Sequence, residues 1–159
     1  MVSDHGPIVF RLACRILGVG PDAEDAVQEA FLQVYRIGQE QSVEHWGALL
    51  RRVVVHRALD RLRQRRRQST EPQDGRQSAR NDENPPQLAI AGELAGRLRE
   101  AVGQLPEQQA SVFCLRYFEE LSYQQIAASL GMEVGGVATA LHKARGKLKA
   151  MLMTTVYGD

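Results

Sequence analysis

Thiols are scarce in this chain. Cys14 and Cys114 stand far apart, and neither has a CxxC or HxH neighbour. That spacing encodes neither a disulfide framework nor a zinc site, so both read as small core residues in a reducing compartment. Aromatic residues make up only 6% of the sequence, and no alternating apolar run bounded by turn residues marks a strand. No stretch approaches the roughly 20 apolar residues that a membrane span requires, and none near the N-terminus has signal-peptide length. These absences predict a cytoplasmic protein with no membrane insertion. A phosphate-binding loop is missing too, because Gly135-Gly136 is not followed by the Lys-Ser/Thr of a P-loop. His56 and Asp60 lie one helical turn apart, but a His–Asp pair on a basic helix is far more often structural or DNA-facing than hydrolytic. No catalytic residue, metal or cofactor is expected.

What the chain has instead is helix-forming residues: Ala, Leu, Gln, Arg and Glu are abundant, and the hydrophobic fraction of 43% suffices for real cores. The net charge of +1 conceals an uneven distribution. Through residue 40, Asp4, Asp22, Glu24, Asp25, Glu29 and Glu40 outnumber Arg11, Arg15 and Arg36. From 44 to 67, Arg51, Arg52, Arg57, Arg61, Arg63, Arg65, Arg66 and Arg67 face only Glu44 and Asp60. The first block suits a basic protein partner and the second a polyanion.

Residues 8–17 give a short amphipathic helix, ended by Gly18 and Gly20. Pro21 opens the next helix where its missing N–H costs nothing, and acids fill the first turn. Its buried stripe is Ala23, Ala26, Val27, Ala30, Phe31, Val34 and Ile37, and Gly38 is its expected end. Asp25, Gln28, Glu29, Leu32 and Arg36 lie on the opposite face. A long helix over about 45–66 buries Leu50, Val54, Ala58 and Leu62, a stripe widened by Trp46 and Val53, leaving Arg52, His56, Leu59 and Arg63 along an exposed row suited to phosphates and unstacked bases. Residues 68–87 are polar and rich in Pro, Asn, Asp and Gln, too poor in apolar surface to offset ordering entropy, and read as a flexible linker. The expected organisation is all-α: one small helical domain over 1–67, the linker over 68–87, and a second helical domain over 88–159.

The second domain holds the most specific signal. A helical period runs through Leu88, Ala91, Leu94, Ala95, Leu98, Ala101, Val102 and Leu105. The next helix, over 107–118, is expected to bury Ala110, Phe113, Cys114 and Tyr117 and to expose Gln108, Gln109 and Arg116. Ser122 and Gln125 make a capping box, and Gly131 supplies a left-handed helix end. A second helix follows, its buried face read from Val137, Leu141, Ala144, Leu148 and Leu152. Taking Tyr123 as first position, Ala127 is fifth, Gly131 ninth and Val137 fifteenth. Those are the places where a helix-turn-helix needs a small crossing residue, a turn glycine and an apolar wedge.

Three runs, DAEDAVQEAFLQVY at 22–35, ALLRRVVVHRALDRLR at 48–63 and LPEQQASVFCLRYFEELSYQQIAASLG at 105–131, resemble regions two and four of bacterial sigma-70 family factors. With no third domain between them, the chain is similar to the extracytoplasmic-function group. The resemblance implies a monomeric sigma factor that binds core RNA polymerase, directs it to promoter DNA and helps open the duplex, with an anti-sigma factor as a further partner. It would place Asp25, Gln28, Glu29 and Leu32 on the polymerase clamp. Arg52, His56, Leu59 and Arg63 would meet the non-template strand of the minus-ten element. Arg116, Thr139, His142, Lys143 and Arg145 would contact the minus-thirty-five element from the major groove.

Departures from the family pattern carry expectations of their own. Leu49 and His56 replace a common tryptophan and asparagine, which implies a different base preference at the melting surface. On the recognition helix the usual Ser/Thr cap and its Thr, Lys and Arg are replaced by Glu133, Gly136, Ala138 and Ala140. Two consecutive glycines should delay the helix start, and weak or altered upstream recognition is expected. A stand-alone helix-turn-helix regulator and a degenerate sigma-like protein acting through protein contacts remain open on the residues alone.

Overall fold

The computed structural model describes residues 2–68 and 86–156, all of them helix or connecting turn. In chain order the helices are α1 (Val2–Leu17), α2 (Pro21–Glu40), α3 (Trp46–Gln68), α4 (Pro86–Gly103), α5 (Glu107–Tyr117), α6 (Tyr123–Leu130) and α7 (Val134–Val156). Most of the expected linker, residues 69–85, lies outside the described residues, as do the side chains of Leu88 and Ala91.

Helices α1, α2 and α3 pack into one bundle, and α5, α6 and α7 into another. In the first, Leu12, Ala13, Ile16, Ala23, Ala26, Ala30, Val54 and Ala58 are fully or almost fully buried. Small residues on α2 let the three axes approach closely. α2 continues past Gly38 to Glu40, which corrects the expected stop. A Cβ at Gly38 would lie 2.6 Å from Cη2 of Trp46, so the glycine is there to admit the indole, not to end the helix.

In the second bundle both hydrogen bonds of the capping box form: Ser122 N–H donates to Gln125 Oε1 at 2.8 Å, and Gln125 N–H donates to Ser122 Oγ at 3.1 Å. Gly131 ends α6 at φ 68, ψ 39, a left-handed conformation that a side chain would disfavour. Helix α7 does not start late: it begins at Val134 and includes both glycines. Val137, Ala140, Leu141, Ala144 and Leu148 form its buried face.

Helix α3 belongs to both bundles. It buries Leu50, Val53, Val54, Val55, Ala58, Leu59 and Leu62. Three consecutive valines cannot share one face of a helix that turns about 100° per residue, so α3 must be covered on more than one side. The second cover is α4, α5 and α6. Where α4 meets α3, a Cβ on Gly103 would sit 3.3 Å from Cγ of Leu62. The same docking explains why α5 buries six residues in a row, 110–115, where an amphipathic helix would bury about half.

Candidate nucleic-acid and partner interfaces

The α2 surface presents Asp25, Gln28 and Leu32 to solvent, with Glu29 half-buried. Leu32 is 56% exposed, and Tyr35, three residues on and absent from the expected site, is 66% exposed. An apolar pair one turn apart at the solvent face is the signal that could have found Tyr35. The acids are not free. Arg61 of α3 reaches Glu29 at 2.5 Å, Asp22 at 3.5 Å and Asp25 at 3.8 Å, and Arg65 reaches Asp22 at 2.9 Å. The hydrogen bond that Arg61 donates to Glu29 is the main reason the Arg61 pKa lies above its usual value. The α2 face therefore offers apolar contacts rimmed by partly neutralised carboxylates.

The row expected to face single-stranded DNA is not uniformly open. Arg52 is exposed, but His56 and Arg63 are half-buried. Leu59 is fully buried, which corrects its expected place on an exposed row, because α3 is covered there by the second bundle. Arg63 Nη2 donates to the Leu105 carbonyl at 2.9 Å and Nε to the Gly103 carbonyl at 3.3 Å, with Nη1 3.6 Å from Glu107 Oε1. His56 Nε2 lies 3.4 Å from the other oxygen of the same carboxylate. Arg51 Nε meets the nearly buried Glu119 at 3.1 Å. Away from α3, Arg15 donates to the Phe118 carbonyl, and Arg99 to the Arg15 carbonyl at 3.2 Å. Glu107 and Glu119 were missed in the sequence, since their significance comes from a docking between distant segments.

At the helix-turn-helix, Thr139, His142, Lys143 and Arg145 are exposed on α7. Arg145 Nε donates to the Tyr117 hydroxyl at 2.6 Å and stands 5.5 Å from that ring's centroid. Tyr117, expected in the core, is thus 43% exposed and serves as a platform for the guanidinium. Arg116 is half-buried: it donates to the Leu121 carbonyl at 2.9 Å and lies 5.2 Å from the Tyr123 ring, bracing the turn into α6. Ala140, placed on the DNA side by residue matching, packs inward instead. Thr139, His142 and Lys143 remain as the unobstructed cationic and polar edge of α7. Among the described residues no cluster of three or more His, Cys, Asp or Glu could hold a metal ion, and no helix is long and apolar enough to cross a membrane.

Such a molecule, with its described residues all helix or turn, a helix-turn-helix and an arginine-bearing helix, is a nucleic-acid-binding protein by class. Residues 1–68 match the family model for sigma-70 region 2, and residues 95–148 that for sigma-70 region 4. The chain is 34% identical to the ECF RNA polymerase sigma factor SigE of Mycolicibacterium smegmatis over 96% of its own length, and spans 60% of that relative's. It is 31% identical to the RNA polymerase sigma-E factor of Streptomyces antibioticus, covering 84% of this chain and 72% of that one. In fold it is similar to the sigma factor RpoE of Bartonella quintana, solved in complex with the anti-sigma factor NepR, at a TM-score of 0.57 and 17% identity over 96% of this chain and 94% of that one. The chain belongs to the sigma-70 family of RNA polymerase sigma factors, in its extracytoplasmic-function group.

Proposed function

We propose that this chain is a promoter-specificity subunit of the cytoplasm that binds core RNA polymerase and performs no chemistry of its own. The observation that carries this reading is the presence of both a region-2 and a region-4 match in one chain, each coinciding with a surface of fitting chemistry. The Leu32 and Tyr35 face of α2, flanked by Asp25, Gln28 and Glu29, docks on the polymerase. The Arg52, His56 and Arg63 row of α3 takes the displaced strand at the minus-ten element, where guanidiniums neutralise phosphates and stack on unpaired bases. The edge of α7 enters the major groove at the minus-thirty-five element.

The domain division at 1–67 and 88–159 follows from the same reading. Before it meets polymerase the chain is a closed monomer, since the contacts of Arg63 and His56 with α4 and α5 occupy the groups that the strand needs. An anti-sigma protein that favours this closed form would hold the factor inactive.

Mixing the full chain with core polymerase tests the proposal. Co-elution on a sizing column and run-off transcription from a subset of genomic fragments are expected. Absence of either overturns it, and binding to palindromic duplex without polymerase would indicate a stand-alone regulator instead.

A further inference from the structure

We infer that base reading at the upstream element has passed, in this chain, from the first turn of α7 to the first turn of α5, with the amide of Gln109 as the reading group. The inference rests on the assignment of α6–α7 to duplex DNA made above and names the residue that gives that contact its specificity.

The opening turn of α7 is bare. Gly135 and Gly136 carry no side chain, Ala138 offers only a methyl, and Ala140 points into the core. A Cβ at Gly135 would meet nothing within 4 Å, and one at Gly136 only the tip of Met132 at 3.5 Å. The missing side chains open a cleft of about 420 Å³ whose far wall is the start of α5. The polar groups that line it are Gln108 and Gln109 from α5 and Thr139 and Lys143 from α7.

Of these, Gln109 is singled out by an unmet need. Its Oε1 is buried and has no hydrogen-bond partner in the folded chain, although buried polar atoms are almost always paired. Rotation about the Cα–Cβ and Cβ–Cγ bonds carries the whole amide, oxygen and nitrogen together, into the cleft that the side chain lines. A primary amide presents one acceptor and two donors, the complement of the N6 amino group and N7 of adenine at the major-groove edge. Neither alanine on α7 can form such a pair. Thr139 and Lys143, on the opposite wall, sit where a hydroxyl and an ammonium can hold the neighbouring phosphate or a guanine edge. The glycine gap thus admits DNA close enough for an α5 side chain to reach a base.

The test uses holoenzyme assembled from core polymerase and the full chain, with a duplex library randomised across the upstream window as the probe. The unaltered factor is expected to select adenine at one position. Gln109→Ala should flatten that preference by about five- to hundred-fold while leaving adjacent positions intact. Gln109→Glu, which keeps the shape but only accepts, should switch the preferred base to cytosine through its N4 amino group. Unchanged selection in both variants, or an equal loss at every position, overturns the inference. If the unaltered factor selects sequences and the variants match it, only this assignment falls. If it selects none, the assignment of α6–α7 to duplex DNA falls with it.

Discussion

Cys114 shows how one buried atom ties stability to pH. It is fully buried on α5, and loss of hydration pushes its thiol pKa far up, against a smaller downward pull from Arg63. In the unfolded chain an ordinary thiol ionises near pH 8.5. Above that pH the unfolded state sheds a proton that the folded state keeps, so stability fully present at lower pH drains away by about 1.4 kcal/mol per pH unit. Urea midpoints at pH 7.5 and pH 10 should therefore differ by more in the native protein than in Cys114→Ala, where the alkaline slope contributed by this group disappears. An equal slope in both would show that Cys114 ionises in the fold. The same burial predicts that thiol reagents modify Cys114 only on unfolding, because the thiolate is the reactive species.

At the scale of elements, α7 sets helix propensity against access. Glycine in a helix costs up to about 1 kcal/mol relative to alanine, and Gly135 has open space where a Cβ would go. Gly135→Ala should raise the thermal midpoint slightly, yet lower affinity for upstream duplex by narrowing the cleft against Gln109. A variant that gains both stability and affinity would show that the gap has no recognition role. The elements themselves were largely legible. Ser122, Gln125 and Gly131 set the bounds of α6 through local hydrogen bonds and one backbone conformation, and such signals are written in a few adjacent residues. Gly38 was misread for the opposite reason: its role is defined by Trp46, eight residues away and across a turn. Of the expected site, the Thr139, His142 and Lys143 edge stayed exposed, whereas Leu59 and Arg63 changed character because α3 and α5 meet, and Ala140 because α7 packs on α5 and α6 within its own bundle. The run Val53-Val54-Val55 held the clue, since a helix with one dry face does not need apolar residues on adjacent positions.

At the scale of the molecule, the proposed function sets docking and strand capture in competition for the same side chains. Glu107 stands at the centre of the contact, one carboxylate oxygen 3.4 Å from His56 and the other 3.6 Å from Arg63. It is half-exposed, so each pairing contributes little, about 0.2–1 kcal/mol in measured pairs of this kind. Yet reversing its charge places an ammonium against two cationic or basic groups and removes the attraction at once. Glu107→Lys should leave both bundles folded while shifting the free chain toward an open arrangement. The affinity for a short single-stranded oligonucleotide is then expected to rise about two- to ten-fold. Energy transfer between dyes placed on α2 and α7 should fall in parallel. Added positive charge alone also strengthens DNA binding, and Glu133→Lys, an equal change at the exposed start of α7, measures that contribution. If Glu107→Lys gains no more than Glu133→Lys and the dye separation stays fixed, the α3 row is not shielded by docking, and the closed form has no part in restraining the free factor. If it gains more, the carboxylate that opens α5 is the latch, and polymerase must displace it before His56 and Arg63 can hold a melted strand.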